Sequence, residues 1–150
     1  MTTTPALTGR DIGQAAKATG ALLDRLIAQA GISFPEWTVL FTLDGAGPLP
    51  RGELVQRQVH GLKVPVAEAQ ATVDGMRSSG LLAPAGDGDG DEPALEPTEA
   101  GQAVFRPVRQ AVSRLTQELY ADLPPADLEA THRTLEEVTR RANAHLAAIS

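Results

Sequence analysis

Apolar residues recur along most of this chain at steps of three and four, the spacing that gathers them on one face of a helix. The first run starts at Thr8 and carries Ile12, Ala15, Ala16, Thr19, Leu22, Leu23, Leu26, Ile27 and Ala30. It predicts an amphipathic helix of about five turns, ended by Gly31. Ser33-Phe34-Pro35-Glu36 then reads as a capping box: Ser33 caps, Pro35 sits in the tolerant first turn, and Glu36 reaches back. The short helix it opens holds Trp37, Leu40, Phe41 and Leu43, and Gly45-Ala46-Gly47-Pro48 breaks it.

A third helix is expected from about Arg51 to Val59, with Leu54, Val55 and Val59 apolar, followed by a turn at His60-Gly61-Leu62. A fourth runs from near Pro65 to Gly80, a residue suited to the left-handed position after a helix. Its expected buried stripe is Val66, Ala69, Val73 and Met76. Two short helices joined by a tight glycine turn make a helix-turn-helix. The period then changes. Leu81-Leu82-Ala83 and Ala94-Leu95-Glu96 are short strands around the polar hairpin tip Gly86 to Glu92, which completes a winged helix.

From Thr98 a long helix carries Val104, Val108, Val112, Leu115 and Leu119, with Pro107 inside it as a bend. Leu123-Pro124-Pro125 separates it from a last helix marked by Leu128, Thr131, Leu135, Val138, Ala142, His145 and Ile149. That heptad-like spacing calls for a helical partner. Either it packs within one subunit or it forms the interface of a symmetric homodimer, and the long flanking helices favour the dimer. The expected fold is mainly α: one domain over residues 1–150, with a winged helix-turn-helix at about 34–97. Dimerisation helices at about 8–30 and 98–149 flank it, and a short two-stranded β-wing completes it.

Composition narrows the chemistry. The chain has 150 residues, no cysteine, 3% aromatic residues and 42% hydrophobic residues, so its core is aliphatic and alanine-rich. Without cysteine there are no disulfides, thiolate metal sites or cysteine redox sensors. No run approaches the roughly 18 apolar residues of a membrane span. The Thr-rich start lacks the apolar centre of a signal peptide, so a cytoplasmic protein is expected. The net charge of −6 speaks against a general binder of nucleic acid or anionic membranes.

Three stretches, in order and at fitting separations, carry a family resemblance. They are Phe34-Pro35-Glu36-Trp37-Thr38-Val39-Leu40, Met76-Arg77-Ser78-Ser79-Gly80-Leu81-Leu82 and Pro97-Thr98-Glu99-Ala100-Gly101. With this order of elements the chain resembles the multiple antibiotic resistance regulator (MarR) family of winged-helix transcription factors from Thr8 to Ile149. The resemblance implies a homodimer held by the terminal helices that binds palindromic double-stranded DNA and is often released by a small phenolic or drug-like ligand. It implies a ligand pocket close to Trp37 and Phe41, residues that can equally be core anchors.

The DNA-reading surface is unusual. With the apolar stripe buried, the opposite face of the recognition helix carries Val64, Ala67, Glu68, Ala71, Asp74, Gly75 and Ser78. It lacks the Arg, Lys, Asn and Gln that ordinarily read guanine and adenine. The candidate DNA-binding residues are Arg51, Arg57, His60, Lys63, Glu68, Gln70, Thr72 and Arg77. Each can also be a solvated or capping side chain, and Arg77 a partner for Asp74. At the wing the family's usual Asp-x-Arg is replaced by Asp89-Gly90-Asp91, and no basic residue occurs from Ser78 to Ala103. Residues 51–97 hold four basic and eight acidic side chains, so the acidity is concentrated where the resemblance places DNA.

Other chemistry is weakly supported. Asp87, Asp89 and Asp91 have calcium-loop spacing, but Glu92 replaces the loop's glycine and Thr98 its final glutamate. Glu129, His132 and Glu136 share a helix face, a pattern that surface ion pairing explains. No nucleophile–base set and no phosphate-binding glycine loop is present. The expectation is therefore no enzyme, no cofactor and no metal. What the sequence supports is a ligand-responsive repressor, or else a module of the same fold that has lost sequence-specific DNA binding and acts through a ligand or protein.

Overall fold

The computed structural model describes residues 6–86 and 91–150. Its elements are α1 (Gly9–Ala30), α2 (Phe34–Ala46), β1 (Leu49–Pro50), α3 (Arg51–Leu62), α4 (Val66–Ser78), β2 (Leu82–Pro84), β3 (Ala94–Pro97), α5 (Glu99–Leu119) and α6 (Pro125–Ile149). Two compact units, 1–113 and 114–150, meet within α5.

The helix boundaries follow local chemistry. Thr8 and Asp11 form a capping box on α1, and Ser33 and Glu36 form the expected one on α2. Gly31 ends α1 in the left-handed conformation, φ +75°. Two boundaries differ from expectation. Helix α2 runs through Gly45 to Ala46 and stops only at Gly47. Helix α3 runs through His60 and Gly61 to Leu62, and it is Lys63 that turns left-handed, at φ 58°. Pro65, which has no N–H and restricts the residue before it, then sets the start of α4.

The wing has three strands in the order β1-β3-β2, both pairings antiparallel. Leu49 lies opposite Leu95, and Leu82 opposite Pro97. The extra strand, β1, is two residues long and ends in a proline, so no alternation announces it. Helix α5 continues through Pro107 without interruption.

In the first unit Trp37, Val39, Leu40, Leu43, Leu54, Val55, Ala69, Val73, Met76, Leu82, Leu95, Phe105 and Val108 form one core with Ile27 and Ile32. Trp37 stacks on Phe105 with ring centroids 5.0 Å apart. Val66 is not part of this core: at the first turn of α4 it is 46% exposed, because the core begins only at Ala69. Among the described residues Gln58 is the buried polar exception. Its Nε2 donates to Thr38 Oγ1 at 2.8 Å, and its Oε1 has no partner among the described residues.

The end of α4 and the start of α5 approach closely through backbone. Gly80, at φ +81°, lets the chain reverse after α4, and Leu81 N donates back to the Met76 carbonyl at 2.9 Å. The Leu81 carbonyl accepts from Thr98 N at 3.0 Å, while Thr98 Oγ1 accepts from Gly101 N at 3.1 Å and caps α5. A Cβ on Gly101 would lie 2.3 Å from the Leu81 oxygen.

In the second unit, α6 buries none of its residues. Leu135, Val138, Leu146 and Ile149 are exposed apolar side chains on it. Ion pairs follow the helix: Arg133 with Glu129, His132 with Glu136, and Arg140 and Arg141 with Glu137. The two guanidiniums hold the Glu137 carboxyl well below its usual range, at about 2. Among the described residues no single helix is long and apolar enough to cross a membrane.

Gly101→Ala is expected to destabilise the fold by about 3 kcal/mol or more in urea denaturation, because a backbone carbonyl has no room to yield. The Glu137 pairs contribute fully above pH 4.5, the ordinary value for this carboxyl, and the contribution is lost as pH falls towards 2. Helicity of the native chain should therefore fall over that window more than that of Glu137→Gln, as read by circular dichroism.

Candidate nucleic-acid interface

Helices α3 and α4, joined by Lys63, Val64 and Pro65, form the helix-turn-helix, and burial of Ala69, Val73 and Met76 turns the opposite face of α4 outward. Along that face Ala67, Glu68, Ala71, Asp74, Gly75 and Ser78 are exposed, and Gln70 and Thr72 are half-buried at its margins. The Thr72 hydroxyl donates to the Glu68 carbonyl at 3.2 Å. Val64 differs from expectation, since it packs against the core.

Three of the candidate basic residues, Arg51, Arg57 and Lys63, are engaged by the protein's own groups. Arg51, the first residue of α3, grips Asp74 of α4 through two bonds, Nε to Oδ1 at 2.7 Å and Nη2 to Oδ2 at 2.8 Å. This fork holds the Asp74 carboxyl below the usual carboxylate range and keeps the guanidinium firmly protonated. Arg57 pairs with Glu53 one turn earlier on α3 at 2.8 Å. Lys63 Nζ donates to the carbonyl of His60, whose ring is exposed in the last turn of α3. Arg77 is exposed in the last turn of α4, and Asp74 bonds to Arg51 rather than to it.

The wing meets the helix-turn-helix through Glu92. Its carboxylate accepts from Gly52 N at 2.6 Å, so it caps α3, whose N-cap residue Pro50 offers no side-chain bond. A Cβ on Gly52 would lie 3.2 Å from that carboxylate. The start of α4, behind Pro65, has no side-chain cap. Neither Arg51–Asp74 nor Glu92–Gly52 was legible in the sequence, because the partners lie 23 and 40 residues apart. Of the residues with calcium-loop spacing, Asp87 and Asp89 lie outside the described residues.

Trp37 is 4% exposed within the core, whereas Phe41 is 48% exposed. The two rings are 5.9 Å apart, and the Arg109 guanidinium lies 5.4 Å from the Phe41 centroid. Arg109 is also 3.9 Å from the carboxylate of Asp44. Phe41 thus offers an aromatic face with a cation above it.

No protein-family model matches the chain by sequence, and no curated protein does. Solved structures do match by fold. The chain is similar to wild-type MarR from E. coli in its apo form, with 20% identity over 90% of this chain and 98% of that one, TM-score 0.63. It is similar to NadR in complex with 4-hydroxyphenylacetate, with 18% identity over 93% and 98% of the two chains, TM-score 0.69. It is also similar to a protein from Listeria monocytogenes, described as a MarR family transcriptional regulator and complexed with a 26mer DNA. There the identity is 17% over 91% and 89% of the chains, TM-score 0.72. The chain has the winged-helix fold of the MarR family transcriptional regulators.

Proposed function

We propose that this protein is a homodimeric DNA-binding transcriptional regulator that represses by occupying a palindromic operator and is released by a small aromatic effector. The observation that carries the reading is the outward face of α4, held by α3 and flanked by a three-stranded wing, in a fold shared with a DNA-complexed structure. The exposed apolar residues of α6 suit a second copy, and a two-fold dimer reads two inverted half-sites. On this reading the winged helix at about 34–97 binds DNA, and helices at about 8–30 and 98–149 build the dimer. The protein works in the cytoplasm by binding rather than by catalysis.

Phosphate contacts fall to Arg51, Arg57, His60, Lys63 and Arg77, with base contacts from Glu68, Gln70 and Thr72. Phe41, with Trp37 beneath it and Arg109 above, is the effector surface. Its cation and aromatic face match an aromatic acid.

A second reading is favoured by charge. Residues 51–97 are net acidic, and Arg51 and Arg57 are already paired with carboxylates of the same module. A protein of this fold with those cations withdrawn acts through a ligand or a protein partner, without sequence-specific DNA binding.

Selection of bound duplexes from random DNA separates the two. The regulator should enrich an inverted repeat, and its affinity should fall steeply as salt rises. An unenriched pool at low salt would establish the second reading. Asp89→Arg combined with Asp91→Arg should tighten DNA binding about tenfold or more at low salt, since it replaces two repelled negative charges per chain with two attracted positive ones. Unchanged affinity in a gel-shift titration would mean that this segment stays away from the duplex.

A further inference from the structure

Few groups on the outward face of α4 can reach a base. Ala67 and Ala71 end at Cβ and Gly75 has no side chain, so the backbone can come close to the floor of a groove. Val66 is exposed but apolar. Asp74 has both carboxylate oxygens taken by Arg51, and the Thr72 hydroxyl turns back to the Glu68 carbonyl. Ser78 lies at the far end of α4, about 15 Å along the axis from Glu68.

Glu68 stands apart. It is in the first turn of α4 and exposed, and among the described residues its carboxylate makes no hydrogen bond or ion pair. In a helix-turn-helix the first residues of the second helix are the ones that meet base edges. A carboxylate offers acceptors and no donor. In the major groove guanine shows two acceptors, and thymine an acceptor beside a methyl group, so both repel it. Adenine sets its amino donor beside the N7 acceptor. Cytosine alone shows an amino donor with no acceptor next to it.

We infer that Glu68 is a specificity-determining residue that selects a cytosine in each half-site by accepting from its N4 amino group. The inference rests on the DNA-binding reading and assigns one of its base contacts. It also gives part of the module's acidity a use. A carboxylate at the groove floor weakens binding to every sequence, and most to those that set an acceptor against it, so selectivity is gained through repulsion.

The test pairs changes in protein and DNA. Wild-type protein, Glu68→Gln and Glu68→Ala are each used to select duplexes from random DNA, and affinities are then read by fluorescence anisotropy at fixed salt. The wild-type repeat should hold one cytosine per half-site whose change to thymine weakens binding about tenfold. Glu68→Gln, with a donor and an acceptor on its head, should move that position to adenine. Glu68→Ala should bind the cytosine and thymine duplexes equally and hold non-specific duplex more tightly than wild type does. Damage to the fold would not produce that gain, and circular dichroism should match across the three proteins. If Glu68→Ala loses helicity, the cytosine-to-adenine change in Glu68→Gln carries the comparison. A repeat with the same base preferences for all three proteins would overturn this inference and leave the regulator standing. So would a thymine penalty that persists in Glu68→Ala. If wild-type protein enriches no repeat, the DNA-binding reading itself fails, and the cytosine assignment goes with it.

Discussion

One backbone carbonyl, that of Leu81, ties the end of α4 to the rest of its unit. The chain leaves α4 through Gly80, and the amide of Leu81 closes back on Met76 while its carbonyl receives Thr98. Thr98 in turn caps α5, and Gly101 brings the first turn of that helix close enough that a side-chain carbon would collide with the same oxygen. The end of α4, the entry to β2, the exit from β3 and the start of α5 all converge on this point. The orientation of α4's outward face follows from it, because Met76 and Val73 are held in the core on the other side.

Charge works against that architecture as a DNA binder and in favour of it as a fold. The fork between Arg51 and Asp74 ties the first residue of α3 to the face of α4, a bond between the two helices of the motif. The same fork occupies the Arg51 guanidinium with a carboxylate of its own module. Both partners are substantially exposed, so salt screens their attraction, and added ions weaken the fork along with any DNA contact.

The helices were legible because their apolar positions repeat and their ends carry recognisable caps, as at Ser33 with Glu36 and at Gly31. Thr98 and Gly101 were legible as a motif before their reason was visible, which is a cap and a close approach to Leu81. What stayed hidden was non-local or too short to leave a pattern. Strand β1 is two residues with a proline, and its pairing is with residues some 45 positions away. Val66 has the right spacing for the core but sits one turn before α4 reaches it. For the candidate interface, residue types and helix faces could be read from the chain. The state of each charge could not, because Arg51 finds its carboxylate on another helix.

The Glu92–Gly52 contact links the wing to the first helix of the motif. Helix α3 begins behind a proline that supplies no cap, and the missing acceptor comes from the foot of the wing. A wing that swings away strips the positive end of α3 of its counter-charge, and a wing that stays keeps the helix electrically closed. The end of the wing at Glu92 is thus tied to the start of α3. A partner that draws it aside leaves the Gly52 amide to water or to a negative group of its own, so capture of the wing and uncapping of that helix become one event.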